Sequence, residues 1–241
     1  MIRTIIVIVY LTIAIFLILP FYILYSAITG DPNPMYQIAM KALRLVLKII
    51  GIRVHVEGVE NIPARTCIFV SNHVSNVDPP ALAPYIPRRV AILAKKEVFR
   101  IPVLATALRQ ARILPVDRRN KEEASATVDK AVEYLRDGTS YLVFAEGTRS
   151  RDAHLKPFKN GTFVMAIEAG VMVVPISLAG TQNLMRKGEW FIRPGEMTVR
   201  FGPAVDASEY SQDQRDELRK RVHALVEAGL PEEQRPIDDS K

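Results

Sequence analysis

Asn72-His73-Val74-Ser75-Asn76-Val77-Asp78 is the densest polar cluster in the chain, and it follows directly on an apolar run ending at Ser71. An imidazole and a carboxylate this close together suggest general-base chemistry. The carboxylate would hold the Nδ1 proton while Nε2 faces the substrate. His73 and Asp78 are five residues apart, about 140° around an ideal helix, so a turn rather than one continuous helix must bring them together. Asp78 stands before Pro79-Pro80-Ala81-Leu82, where a helix N-cap belongs. A capping carboxylate normally accepts the second and third helical amides, and Pro80 removes the first of these donors. Acceptor capacity is thereby left for an imidazole. The plainer alternative is a turn histidine beside a simple cap.

A second cluster, Glu146-Gly147-Thr148-Arg149-Ser150, again follows an apolar run, Tyr141 to Ala145. Gly147 lets backbone amides approach closely, while Thr148 and Arg149 bring a hydroxyl and a forked cation suited to phosphate. Lys95 follows Ile92-Leu93-Ala94, and Arg118 follows Ile113-Leu114-Pro115-Val116-Asp117. Each cation alone reads as a solvated surface charge; together, all past strand ends, they could converge on one phosphate beside His73. No Gly-x-Ser-x-Gly elbow, His-Glu-x-x-His pair, cysteine–histidine cluster or glycine-rich nucleotide loop occurs. A base without a protein nucleophile suits attack by the acceptor's own hydroxyl on an activated acyl group.

The elements that must position these residues alternate. Strands are expected at 53–56, 66–71, 90–94, 112–116, 140–145, 172–177 and 197–201, and helices at 79–85, 101–108, 121–136, 161–168 and 212–228. Short, nearly continuous apolar strands imply a sheet covered on both faces. The fold class is therefore α/β, a single domain with a mixed, largely parallel sheet flanked by helices. With 241 residues, 49% of them hydrophobic and 24% charged, the chain suits one globular domain with a short appendage. The charge of +6 fits an anionic lipid, and also a weak nucleic-acid binder. One cysteine, Cys67, cannot form an internal disulfide and reads as a small buried side chain.

That appendage is an N-terminal membrane-associated helical segment. Thr4 to Gly30 carries no charge, and the apolar run Ile5 to Tyr25 matches a bilayer core in length, with Pro20 a possible bend. Asn33 and Pro34 are expected to cap and open a second helix, reaching Ile50, whose Lys41, Arg44 and Lys48 share one face. It reads as an interfacial helix on anionic headgroups, the alternative being a helix packed on the soluble domain. The basic flank puts the catalytic domain on the cytoplasmic side of the cell membrane. The division is residues 1–50 anchor and interfacial helix, 51–230 catalytic domain, and 231–241 a polar, frayed tail.

These motifs resemble the 1-acyl-sn-glycerol-3-phosphate (lysophosphatidic acid) acyltransferase family. Asn72, His73, Ser75 and Asp78 match its Asn-His-x-Ser-x-x-Asp motif, and Glu146 to Arg149 its phosphate-binding Glu-Gly-Thr-Arg. Ala94-Lys95-Lys96-Glu97 through Val116-Asp117-Arg118, Phe158-Lys159-x-Gly161 and Val174-Pro175-Ile176 are similar to further blocks, so the likeness covers roughly residues 50 to 205. Gln110-Ala111 departs from it, because many members carry a glycine before the intermediate strand. The resemblance implies acyl transfer from acyl-CoA or acyl-carrier protein to the sn-2 hydroxyl of lysophosphatidic acid, giving phosphatidic acid. His73 is the implied general base and Asp78 its orienter, with Lys95, Arg118, Glu146, Gly147, Thr148 and Arg149 binding the acceptor. Glu146 is expected to stay ionised among basic neighbours. No metal or cofactor is needed, and membrane phospholipid rather than nucleic acid is the expected partner. Glycerol-3-phosphate or another lysolipid as acceptor, a thioesterase, and a non-catalytic membrane-surface protein are the alternatives.

Overall fold

Five short apolar runs become adjacent parallel strands in the computed structural model, which describes residues 2–116, 121–150, 152–186 and 188–237. They are β2 (Cys67–Ser71), β3 (Val90–Lys95), β4 (Leu114–Val116), β5 (Ser140–Phe144) and β6 (Met172–Ala179), in the order β6-β2-β5-β3-β4. Beyond β6 the sheet turns mixed. β7 (Gly195–Phe201) runs antiparallel to β6, β1 (Ile52–Glu57) parallel to β7, and the two-residue β8 (Val205–Asp206) antiparallel to the start of β6. The shared direction of β2 to β6 gathers their carboxyl ends on one edge, where ligands collect in such sheets.

Alternate side chains of β2 feed two cores. Ile68 and Val70 join Ala131, Phe163, Val222 and their neighbours from α6 (Lys121–Arg136), α7 (Gly161–Ala169) and α9 (Arg215–Ala228). Cys67 and Phe69 join Leu47 of α3 (Asn33–Ile49) and Ala81 and Leu82 of α4 (Asp78–Leu82) on the other face. Burial pushes the Cys67 thiol up to about 11, so it stays a protonated core residue. Pro175 tolerates a central strand because its carbonyl accepts from Gly202, so its proton-free nitrogen faces the turn where β6 changes partner from β8 to β7.

Just past Gln110-Ala111, the turn after α5 (Pro102–Gln110) puts Arg112 at φ +59°, a backbone conformation that favours glycine. Its guanidinium bonds Asp137 (2.5 Å) and Thr139 (2.7 Å), and its carbonyl accepts from Tyr141 (2.7 Å). These contacts hold a backbone conformation that is ordinarily costly, and they shorten the strand expected from Arg112.

The N-terminal run is helical from Ile2 to Thr29 but not uniformly so: α1 (Ile2–Ile13) and α2 (Leu19–Thr29) are separated by a π turn, Ala14–Ile18. Pro20, just beyond, has no amide for the Phe16 carbonyl, and a widened turn is a common answer to such a break. Among the described residues no helix is long and apolar enough to cross a membrane. Asn33 does not cap α3; its amide is instead held by Asp31 Oδ1 at 2.9 Å. α3 also packs on the domain through Val46 and Leu47, and Arg44 Nε reaches the Pro84 carbonyl (2.8 Å) rather than pointing away with Lys41 and Lys48. Ile38, Leu45 and Ile49 remain exposed. The stretch expected to fray is tied down through Arg235. Gln234 is buried, and its backbone and side-chain oxygens accept from Leu155 (2.8 Å) and Gly180 (3.3 Å).

Candidate active site

β2 ends at Ser71, and the buried Asn72 side chain extends its ladder. Nδ2 donates to the Leu178 carbonyl (2.9 Å) and Oδ1 accepts the Leu178 amide (2.8 Å). The chain then turns back on itself around one oxygen. Asp78 Oδ2 lies 2.7 Å from His73 Nδ1 and accepts the amides of Val74 (2.7 Å) and Ser75 (2.8 Å). The carboxylate therefore does not cap its own helix: α4 begins at Asp78 without a side-chain cap, and the charge closes the preceding loop instead. Ser75 Oγ fastens that loop to the Met185 carbonyl (2.6 Å). The Phe144 ring lies against the imidazole with centroids 4.3 Å apart. The His73 side chain is 16% exposed, and no described residue hydrogen-bonds Nε2. That arrangement suits a base whose proton-accepting nitrogen is open to a substrate.

The turn after β5 grips His73 from the other side. Glu146 Oε1 accepts the His73 amide (2.9 Å), and the Ser150 amide donates to the His73 carbonyl (2.8 Å). Gly147 makes this turn at φ +75°, where an added Cβ would stand 3.3 Å from Lys159 Cγ. Thr148 is exposed and Arg149 half-buried, one residue from the amide that holds His73. Lys95 is exposed at the end of β3, with β5 between it and β2. At one strand spacing each, that is about 10 Å of lateral separation. Arg118 and Asp117 lie outside the described residues. Among the described residues, no three or more His, Cys, Asp or Glu side chains group as metal ligands.

Glu146 departs from the sequence expectation. Burial pushes its carboxyl up to about 8, outweighing the His73 amide and the Lys156 charge, while Asp78 raises it further. Counting basic neighbours implied an ionised group; removing water from around it decides otherwise. Between the ordinary carboxylate range and about pH 8 the unfolded chain has released this proton and the folded chain retains it. Stability is thus full below that window and falls as pH rises through it, on the order of 4 kcal/mol in all. Glu146→Gln keeps an acceptor for the His73 amide and cannot ionise. It should flatten the fall in denaturation midpoint between pH 5 and pH 8.5, whereas a wild-type slope in the variant would place the raised carboxyl elsewhere.

Asn72, Ser75 and Phe144 support the imidazole without having been singled out as site residues. The signal was present in two small polar side chains directly after a fully apolar strand, since buried polar groups must find partners. Their partners, Leu178 and Met185, are more than a hundred residues away and leave no local trace.

Sequence and structural comparisons match the chain across the whole of this sheet. A sequence model of the Acyltransferase family matches residues 53–179, from β1 to the end of β6. A 1-acyl-sn-glycerol-3-phosphate acyltransferase of Limnanthes douglasii is 34% identical over 194 residues, 80% of this chain and 69% of that protein. One from Borreliella burgdorferi is 31% identical over 198 residues, covering 78% of this chain and 79% of that protein. The crystal structure of the 1-acyl-sn-glycerophosphate (LPA) acyltransferase PlsC from Thermotoga maritima superposes with a TM-score of 0.82. Its sequence is 30% identical, and the match covers 95% of this chain and 93% of that one.

Proposed function

The chain belongs to the 1-acyl-sn-glycerol-3-phosphate acyltransferase family, and on that premise we propose that it moves an acyl group from acyl-CoA or acyl-carrier protein to the sn-2 hydroxyl of 1-acyl-sn-glycerol-3-phosphate. The observation that carries this reading is the 2.7 Å contact between His73 Nδ1 and the fully buried Asp78. His73 Nε2 takes the proton of the acceptor hydroxyl as its oxygen bonds to the thioester carbonyl carbon. Collapse of the tetrahedral adduct breaks the C–S bond, and the imidazolium returns the proton to the departing thiolate. Asp78 holds the tautomer that presents Nε2 and stabilises the transient positive charge. The thioester arrives activated, so the residues need supply no further chemical energy.

Arg149 would hold the acceptor phosphate, because its turn is hydrogen-bonded to His73 and a guanidinium binds phosphate through two parallel donors. Lys95 and Arg118 would assist, with Gly147 and Thr148 shaping the turn. The retained proton on Glu146 suits it to anchoring the His73 loop rather than to a second general-base role. Arg149→Ala should reduce kcat/KM for a phosphorylated acceptor about 10²-fold, leaving KM for the acyl donor nearly unchanged. If wild type and variant alike accepted phosphorylated and dephosphorylated acceptors equally well, this assignment would fail.

We infer that the enzyme works at a membrane, from its family and from the exposed apolar residues of α1 and α2. We place it on the cell membrane with the catalytic domain on the cytoplasmic side, from the charges of α3. The decisive experiment is thiol release from acyl-CoA by purified protein, with and without acceptor, and products identified by mass. Diacylated phosphate product and acceptor-dependent release are expected; free fatty acid formed without acceptor would mean a hydrolase.

A further inference from the structure

The segment between α8 (Thr181–Leu184) and β7 is pinned at its base and apolar at its tip. Arg193 donates its amide to the Leu184 carbonyl (2.9 Å), Glu189 donates to Arg186 (3.1 Å), and the Glu189 carboxylate pairs with the Arg193 guanidinium. At the tip Trp190 is 82% exposed and Phe191 52%. A large aromatic pair held open to water on a fastened turn marks a contact surface rather than a folding requirement.

Its position identifies the occupant. Met185, at one end, accepts the Ser75 hydroxyl beside His73. At the other end Ile192 donates to Thr4 Oγ of α1 (3.3 Å), and Ile192, Ile6 and Val7 share one core. The tip therefore continues from the apolar N-terminal helix to the catalytic edge. On the other side of β2, past the end of β3, Val98, Ile101 and Val103 form a second exposed apolar outcrop.

We propose that Trp190 and Phe191 insert at headgroup level into a lipid bilayer. They would extend the membrane contact of the N-terminal helix and seat the His73 edge on the surface that holds the acceptor. Indole suits that depth, because its ring can enter the acyl boundary while its N–H stays hydrated. A protein partner would have no reason to adjoin α1, whose exposed face carries Ile2, Ile5, Ile8 and Val9. The inference rests on the acceptor reading above only for its purpose; insertion itself can be read without turnover.

Trp190 is the only tryptophan in the chain, so tryptophan emission, excited beyond the tyrosine absorption band, reports this loop alone. The full-length protein is placed in phosphatidylcholine–phosphatidylglycerol nanodiscs, with and without bromines at shallow or deep acyl positions. Shallow bromines should quench most, and iodide should quench several-fold less than in detergent. Absence of bromine quenching at either depth while acyl transfer persists would overturn the insertion and leave the function standing. A blue shift produced by acyl-carrier protein, or by concentrating lipid-free protein, would assign the surface to that partner or to self-association, and equally overturn it. In a second arm, Trp190→Ala/Phe191→Ala should lose about tenfold in rate on bilayer-embedded acceptor and keep its rate on acceptor dispersed in detergent. Equal rates on both would count against the proposal even if the fluorophore were quenched.

Discussion

Replacing His73 with alanine lowers acceptor-dependent thiol release by about 10²–10⁴-fold, the range general-base catalysis supplies. The fold should survive. The ring is partly exposed at a strand end, and the backbone contacts that fix the loop, His73 N–H to Glu146 and His73 C=O to Ser150, do not use the side chain. Loss of the contact with Phe144 costs about 1 kcal/mol, as usual for a site away from the deep core. Rates are compared after the melting temperatures and membrane content of both proteins have been matched. A variant that transfers acyl groups within threefold of wild type would remove His73 from the mechanism, whatever the family.

Asp78→Asn is the more searching substitution, with an expected loss again of about 10²–10⁴-fold. One carboxylate oxygen holds three groups: the imidazole and the amides of Val74 and Ser75. An asparagine oxygen can keep both amides, so the loop should still close. It carries no charge to stabilise imidazolium. If its NH2 turns toward Nδ1, it imposes the tautomer with the proton on Nε2, where a base cannot work. A merely structural aspartate would be replaced by asparagine with little loss of activity, since the two cap and turn comparably. The two roles therefore separate in kcat at matched stability, and near-wild-type kcat would reduce Asp78 to a loop fastener.

The parallel sheet was legible because β2, β5 and β6 are nearly continuously apolar, and their boundaries lie within two residues of those expected. The His–Asp pairing was legible as a local cluster, but not for the capping reason expected: the N-cap of α4 is Val77, and Asp78 is the first helical residue. Features set by distant partners were not. Glu146 keeps its proton because the folded chain excludes water from it, and Asn72 and Ser75 find their partners at Leu178 and Met185; neither shows in a list of neighbours. β8 and α8 are too short for any periodicity, and Arg112 adopts a glycine-like backbone supported by Asp137 and Thr139. In the N-terminal run hydropathy read a single bilayer-length helix, but not the π turn next to Pro20 that divides it into α1 and α2. Among the described residues no helix is long and apolar enough to cross a membrane.

The clamp between Asn72 and Leu178 spans 106 residues, and that between Ser75 and Met185 spans 110. During synthesis the apolar N-terminal helix therefore leaves the ribosome long before the loop around His73 has anything to close upon. A nascent chain halted at residue 170 holds every residue of both motifs but lacks β6. Such distant pairings are the slow steps of folding, because chain closure must precede any reward. The loop around His73 can thus be fastened only after β6 and the Met185 segment have been made, late in synthesis.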